Sequence, residues 1–121
     1  VKQQQELKVA TAAEASADKI WSKAELMAKG KTLYETKCAA CHQPNGAGLP
    51  PAFPALNGSA VATGPIAGHL EIVIKGKQGT AMQAWGSLND LEIAAIVTYE
   101  RNAWDNKTGD LIQPADVKQA R

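Results

Sequence analysis

The sequence has few aromatic residues, only two cysteines and no strong excess of charge of either sign. Aromatic residues make up 5% of the 121 positions, so side chains alone would form a thin core for a small domain. The net charge of +1, without any lysine- or arginine-rich block, gives no reason to expect nucleic-acid binding. No apolar run approaches the ~20 residues of a membrane-spanning helix. We therefore expect one small domain whose core is completed by a bound apolar group.

The first residues give little sign of a folded element. The chain begins at Val1 and lacks a charged segment followed by an apolar stretch, the pattern of an export signal. We therefore expect a processed product or a piece of a larger protein, with the export or membrane-anchoring signal encoded upstream. Residues 1–20 are rich in Gln, Ala, Lys and Glu, which predicts a linker or a frayed lead-in helix.

The first main helix is predicted to begin directly after Ser22. Ser22 and Glu25 have the spacing of a capping box, in which each side chain binds the backbone of the other. Leu26, Gly30 and Tyr34 then recur at helical spacing, and the helix leads straight into Cys38.

Two more main helices are predicted in the second half of the chain. Apolar residues from Ile66 to Ile74 favour a helix that Gly76 ends. Residues 70–74 would also suit a strand by propensity, but no second strand is predicted to pair with them. The third helix begins after Asn89, which forms a second capping-box pattern with Glu92. The predicted class is all-α.

Long, turn-rich segments separate these helices. Residues 43–63 contain four of the six prolines and three glycines, and a second loop covers residues 77–87. Loops of this length are unusual in a compact domain unless they surround something. We divide the chain into a lead-in at 1–20, a folded domain at 21–105 and a C-terminal tail at 106–121.

The segment Cys38-Ala39-Ala40-Cys41-His42 is the pattern that attaches a c-type haem. The two thiols form thioethers with the haem vinyl groups, and the adjacent histidine becomes an axial ligand of the iron. Because these are the only cysteines, none remains for a disulfide. We predict one covalent haem c bound through Cys38, Cys41 and His42.

Two other kinds of site also use a cysteine pair. A thioredoxin-like dithiol also has this spacing, but it belongs to a βαβ unit that the sequence does not predict. A zinc site would need four ligands, which Cys38, Cys41, His42 and His69 could nominally supply without the usual second paired knuckle.

The second axial ligand is predicted to be Met82. It lies in the loop before the third helix, and a thioether ligand favours the reduced iron and raises its potential. His69 is the alternative, although a single histidine near a helix start is more often a surface residue. Met27 lies in the first helix, at the wrong place to reach the haem. We count Trp85, in the same loop as Met82, as a further haem-binding residue.

Taken together, these features resemble the class I cytochrome c fold over roughly Ala24 to Trp104, a small all-α fold of three main helices and long loops around one haem. The resemblance implies that the first helix crosses the helix of Tyr99 at a small residue, here Gly30. It also implies that the carbonyl of Pro51 accepts a hydrogen bond from His42 Nδ1–H, which fixes the ring.

A narrower resemblance points to one setting for the domain. Residues 79–85, 98–104 and 106–117 are similar to the cytochrome c domain fused to subunit II of some haem–copper cytochrome c oxidases. It implies a domain at the periplasmic face of the bacterial inner membrane, anchored only through upstream segments. This chain contains no trace of the dinuclear-copper site of such subunits.

The expected function is therefore single-electron transfer, and the domain alone is not expected to be an enzyme. It would take electrons from a donor cytochrome or a quinol-oxidising complex and pass them to the oxidase copper centre, as a monomer making small transient contacts. Lys37, Lys75 and Lys77 are candidates for the rim of that contact. A free-standing periplasmic shuttle is the second possibility. A haem gas sensor or peroxidase ranks lower because Met82 would fill its open site.

Overall fold

The computed structural model describes residues 19–50 and 53–121, and these residues form five helices. The predicted linker at 1–20 lies almost wholly outside this part of the chain. In chain order the helices are α1 Lys23–Lys37, α2 Ala39–His42, α3 Ile66–Lys75, α4 Asp90–Asn102 and α5 Pro114–Ala120. No strand occurs among the described residues, where the only β-type pairing is an isolated bridge between Leu49 and Phe53. The all-α prediction is confirmed.

The helix boundaries follow the capping residues found in the sequence. Ser22 and Glu25 form the predicted capping box at the start of α1, and Asn89 and Glu92 form the one at the start of α4. Gly76 caps the end of α3, which is helical rather than extended as its propensity also allowed. Among the described residues, no helix is both long and apolar enough to cross a membrane.

Helices α1 and α4 pack against each other at Gly30. A Cβ atom at this position would lie 2.7 Å from the Cβ of Tyr99 and would also overlap the carbonyl oxygen of Ala95. Only hydrogen in place of a side chain allows the two backbones to come this close. The predicted crossing is confirmed. It also fixes the position of the C-terminal end of α1, which leads into Cys38.

Helix α4 is the centre of the core. Six consecutive residues from Ile93 to Thr98 are buried, so the helix is enclosed on nearly all sides rather than along one stripe. The apolar cluster joins residues of α3, α4 and the C-terminal segment. Its buried members are Leu70, Val73, Ile74, Ile93, Ala94, Val97, Ile112 and Val117.

Residues 106–121 differ from the predicted tail. Their second half forms α5, and Ile112 and Val117 are fully buried in the core. The Gln113 side chain accepts a 2.8 Å hydrogen bond from the backbone N–H of Trp21 and donates one of 3.1 Å to its carbonyl. The segment has too few apolar residues to reveal a helix by periodicity, and distant parts of the chain supply its contacts.

Candidate functional site

A cavity of about 420 Å³ lies between the cysteine motif, α3, α4 and the loop at 77–88. Its volume is within the ~300–1,000 Å³ typical of small-molecule and cofactor sites. Five of the six residues predicted to bind a cofactor line it, namely Cys38, Cys41, His42, Met82 and Trp85. The sixth, Pro51, lies outside the described residues. Segments distant in sequence therefore meet around one space.

One side of the cavity is formed by the turn between α1 and α2. Cys38 ends α1, with its N–H bonded to the Tyr34 carbonyl at 2.8 Å. The Cys38 carbonyl then accepts hydrogen bonds from the N–H groups of Cys41 and His42, at 3.2 and 3.0 Å. This single turn brings both sulfur atoms and the imidazole of His42 to the same cavity.

The His42 ring is fixed by the backbone carbonyl of Pro54. Its Nδ1 lies 2.9 Å from that carbonyl oxygen, and the expected acceptor, Pro51, lies outside the described residues. Two backbone hydrogen bonds between Leu49 and Phe53, of 2.7 and 3.0 Å, hold the residue before Pro54 close to Leu49. A carbonyl can only accept, so Nδ1 carries the proton and Nε2 keeps its lone pair for a metal.

The opposite side of the cavity is the loop at 77–88, which carries Met82. The N–H of Lys77 bonds the Met82 carbonyl at 3.1 Å, and the N–H of Trp85 bonds the Val73 carbonyl on α3 at 2.9 Å. Gly76, with φ of 72°, allows the loop to return closely, since a Cβ there would lie 2.7 Å from the Met82 oxygen. The loop that carries the half-buried Met82 is thus held by backbone contacts to α3 and to the two residues that follow it.

The far end of this loop is held by Arg121. Its guanidinium donates to the carbonyls of Gly86 and Leu88 at 2.7 and 2.6 Å, and pairs with Asp90 at 2.7 Å. No local pattern in the sequence indicates this contact, since more than thirty residues separate the partners. The C-terminal segment therefore helps to position the cavity wall.

The cysteine environment disfavours the two other uses of the pair. Burial, with a further contribution from the charge of Glu100, raises the pKa of the Cys38 thiol to about 12. A redox dithiol requires the opposite shift, toward a reactive thiolate. Within the described residues no group of three or more His, Cys, Asp or Glu side chains is arranged to hold a metal ion, so the zinc alternative lacks its ligand cluster.

His69 is buried rather than on the surface, with 2% of its area exposed. Its Nε2 lies 2.8 Å from Glu100 Oε1, and its Nδ1 lies 3.3 Å from a guanidinium nitrogen of Arg101. Both ring nitrogens therefore have protein partners. The expectation of a surface position is wrong because polar partners on α4 replace the water that His69 loses on burial.

At the cavity mouth, Lys37 and Trp85 come together. The Lys37 ammonium lies 5.7 Å from the centre of the Trp85 ring, within cation–π range. Both residues also line the cavity, as does Lys77. The mouth is therefore bordered by positive charge and an aromatic surface.

Comparisons with known proteins agree on one kind of domain. The family described as "Cytochrome C oxidase, cbb3-type, subunit III" matches residues 25–99. Cytochrome c-552 of Thermus thermophilus is 34% identical over 91 residues, which cover 64% of this chain and 69% of that protein. The cytochrome c subunit of alcohol dehydrogenase (quinone) from Gluconacetobacter polyoxogenes is 29% identical over 118 residues, 83% of this chain. That match spans only 25% of the subunit.

Proposed function

Since the chain belongs to the cytochrome c family described as cytochrome c oxidase, cbb3-type, subunit III, whose work is haem-mediated electron transfer, we propose that it carries a single haem c. In this proposal Cys38 and Cys41 would hold the haem through thioethers, and the side chains of His42 and Met82 would bind its iron. The observation that carries the proposal is the convergence of these four side chains on one cavity.

The donor set suits this group. Burial keeps the Cys38 thiol protonated, both cysteines are half-buried, and His42 presents Nε2 because its Nδ1 is bonded to the Pro54 carbonyl. The Met82 thioether is a soft, neutral ligand on a loop fixed to α3. When bound, the haem supplies a one-electron couple, and the protein orients its ligands and keeps water away. Trp85 covers part of the cavity beside Met82.

The folded unit that performs this role extends beyond the predicted boundary at residue 105. Ile112 and Val117 belong to the same core as α3 and α4, and Gln113 binds the backbone of Trp21. We therefore place residues 21–121 in one haem domain.

We assign the domain to an electron relay between a donor cytochrome or a quinol-oxidising complex and the copper centre of a terminal oxidase, at the periplasmic face of the inner membrane. Support comes from the resemblance to oxidase subunit II and from the cation-bordered mouth, where Lys37 and Lys77 lie at the cavity. Such a mouth suits a brief contact with an acidic partner surface. The gene sequence upstream of Val1 tests this setting, since copper ligands and membrane segments are expected there.

A free-standing shuttle is the second candidate. One observation favours it: the match covers 69% of cytochrome c-552, so most of that relative corresponds to this domain alone. A cleavable signal directly upstream, without copper ligands, would support the shuttle over the oxidase subunit.

Replacing Met82 tests the haem site. The pigment of the wild-type protein should stay with the polypeptide after acid–acetone extraction, and its ferric form should show the near-infrared sulfur-to-iron band. Met82→Ala should abolish that band, lower the reduction potential and open the iron to CO, because a thioether ligand favours reduced iron. The matched control is Met27→Ala on α1, which changes a thioether that does not line the cavity.

Three results would contradict this assignment. Loss of the pigment to the organic layer would exclude thioether attachment. A sulfur-to-iron band that survives Met82→Ala but disappears in Met27→Ala would exclude Met82 as the ligand. Rapid CO binding by the unaltered protein would point to a sensor.

A further inference from the structure

A cluster of charged side chains, most of them buried, lies along one side of the cavity. Its residues are distant in sequence from the cysteine motif. It consists of His69 on α3, Glu100 and Arg101 on α4, and Asp110 in the C-terminal segment. The side chains of His69 and Arg101 are each 2% exposed and that of Glu100 is 5% exposed. Burying charged groups this deeply costs free energy unless they are paired. The partner of each group therefore shows whether its charge is balanced.

In one half of the cluster the charges balance each other, and in the other half they do not. Arg101 binds Asp110 Oδ2 through Nε and a terminal nitrogen, at 3.1 and 2.8 Å, and also donates to the carbonyls of Gly64 and Val61. Its charge is thus balanced by Asp110. Glu100 has no lysine or arginine partner within 4.0 Å among the described residues, and its only side-chain hydrogen bond there is with His69.

The proton positions in this cluster follow from Arg101. A guanidinium only donates, so His69 Nδ1 must accept from it and the ring proton lies on Nε2. His69 Nε2–H therefore donates to Glu100 Oε1 at 2.8 Å. A neutral imidazole that donates in this way orients and stabilises a carboxylate without cancelling its charge.

Glu100 faces the cavity that the haem would fill. Both Glu100 and His69 line it, together with Cys38 and His42. The charge of Glu100 also acts at the attachment motif: after burial, it is the next largest cause of the raised pKa of Cys38. A carboxylate at a low-dielectric cavity wall interacts strongly with a charge inside that cavity.

We propose that Glu100 lowers the reduction potential of the bound haem by placing an unneutralised carboxylate at the cavity wall, and that His69 is the residue positioning it. The inference rests on the proposed function, since it concerns the cofactor assigned to this cavity. Oxidation adds a positive charge, which a nearby carboxylate stabilises, so the oxidised form is favoured. Glu100 thus opposes Met82, which favours the reduced form. The reduction potential of the haem would then depend on the balance between Glu100 and Met82.

The test is the midpoint potential of the holoprotein, measured by spectroelectrochemistry. Glu100→Gln keeps the shape but removes the charge, and it should shift the equilibrium toward the reduced form about tenfold, or about 59 mV for a one-electron couple. Glu100→Asp retains the charge and should stay closer to the wild type. Glu71→Gln is the matched control, because Glu71 lies exposed on α3 and does not line the cavity; it should change the equilibrium by less than about twofold.

A second pair of variants tests the positioning role while leaving Glu100 in place. His69→Gln keeps an N–H donor and should hold the potential near that of the wild type. His69→Phe removes the donor, so the buried carboxylate loses its partner and its charged form is disfavoured. The potential should then rise, and adding Glu100→Gln to His69→Phe should raise it little further. This pair decides the question if Glu100→Gln fails to bind haem.

The outcomes separate this inference from the proposed function. If the wild type lacks a covalently bound, low-spin haem, the proposed function fails. If the haem is intact but Glu100→Gln shifts the potential no more than Glu71→Gln, only the inference is overturned. Equal potentials for His69→Gln and His69→Phe would overturn the role of His69.

Discussion

The attachment segment, residues 38–54, and the C-terminal segment, residues 106–121, both shape the cavity but are specified in different ways. The attachment segment makes its hydrogen bonds mostly to itself, as in the contact between His42 and Pro54. The C-terminal segment bonds distant parts of the chain, including Trp21 through Gln113 and Gly86 through Arg121. Chemistry is therefore encoded in a short motif, and the packing that supports it is spread over the whole chain.

The difference has a physical origin. Closing one turn costs little chain entropy, so a few adjacent residues can specify it. A contact between Gly86 and Arg121 joins residues 35 positions apart and forms only when the core between them is in place. The attachment segment is supported by the packing of α1 in the core, so a substitution in that packing should affect the whole fold. A substitution in the C-terminal segment should act only on the individual contacts that it removes.

The largest effect is expected at Gly30, where α1 supports the attachment segment. Gly30→Ala forces a methyl group against the Ala95 carbonyl and Tyr99, and should lower the free energy of unfolding by about 3 kcal/mol. Gly68→Ala is the matched control in α3, because nothing lies within 4 Å of a Cβ there. It should stabilise the protein by up to about 1 kcal/mol through helix propensity. Urea unfolding of both holoproteins measures the difference. Equal effects would mean that α1 and α4 do not meet at Gly30.

The sequence predicted what depends on neighbouring residues. Both capping boxes and the end of α3 at Gly76 follow from local patterns and are found as expected. The crossing at Gly30, which the resemblance to class I cytochromes c implies, is found as well. The convergence of the motif and Met82 on one cavity also agrees with the prediction, although their binding of haem stays a proposal.

The remaining features depend on contacts that no local pattern records. The hydrogen bond between His42 and Pro54 follows from no local pattern, because it depends on how the backbones of Leu49 and Phe53 pair. His69 and Glu100 were not recognised as a buried pair, since a polar residue near a helix start or within a helix is usually exposed. The helix α5 was missed because its burial depends on Ile112 and Val117 reaching a core built by other segments.

A smaller and more local effect is expected at Arg121. Arg121→Ala removes the donors to Gly86 and Leu88 and the ion pair with Asp90, and should cost about 1 kcal/mol because the side chain is one-third exposed. Hydrogen exchange at the Trp85 amide should accelerate, while exchange in α1 should not. Lys118→Ala, at an exposed position of α5, is the control and should leave hydrogen exchange unchanged both at the Trp85 amide and in α1. Accelerated exchange throughout the protein would contradict a contact that acts only on the Met82 loop.

The smallest effect is expected at Asp110, and it should depend on pH. The hydrogen bond from Arg101 is the main cause that lowers the pKa of the Asp110 carboxyl below its ordinary value. A depressed pKa means that the ion pair stabilises the fold above the unfolded-state pKa of about 4 and that this contribution is lost as pH falls through the lower folded-state value. Asp110→Asn should therefore cost up to about 1 kcal/mol at pH 7, limited because the Asp110 side chain is 35% exposed and because Arg101 keeps its hydrogen bonds to the carbonyls of Gly64 and Val61. Urea unfolding at pH 7, 5 and 3 should show the wild type and the variant converging at the lowest pH. A difference that is constant over this range would mean that shape, rather than charge, holds the C-terminal segment to Arg101.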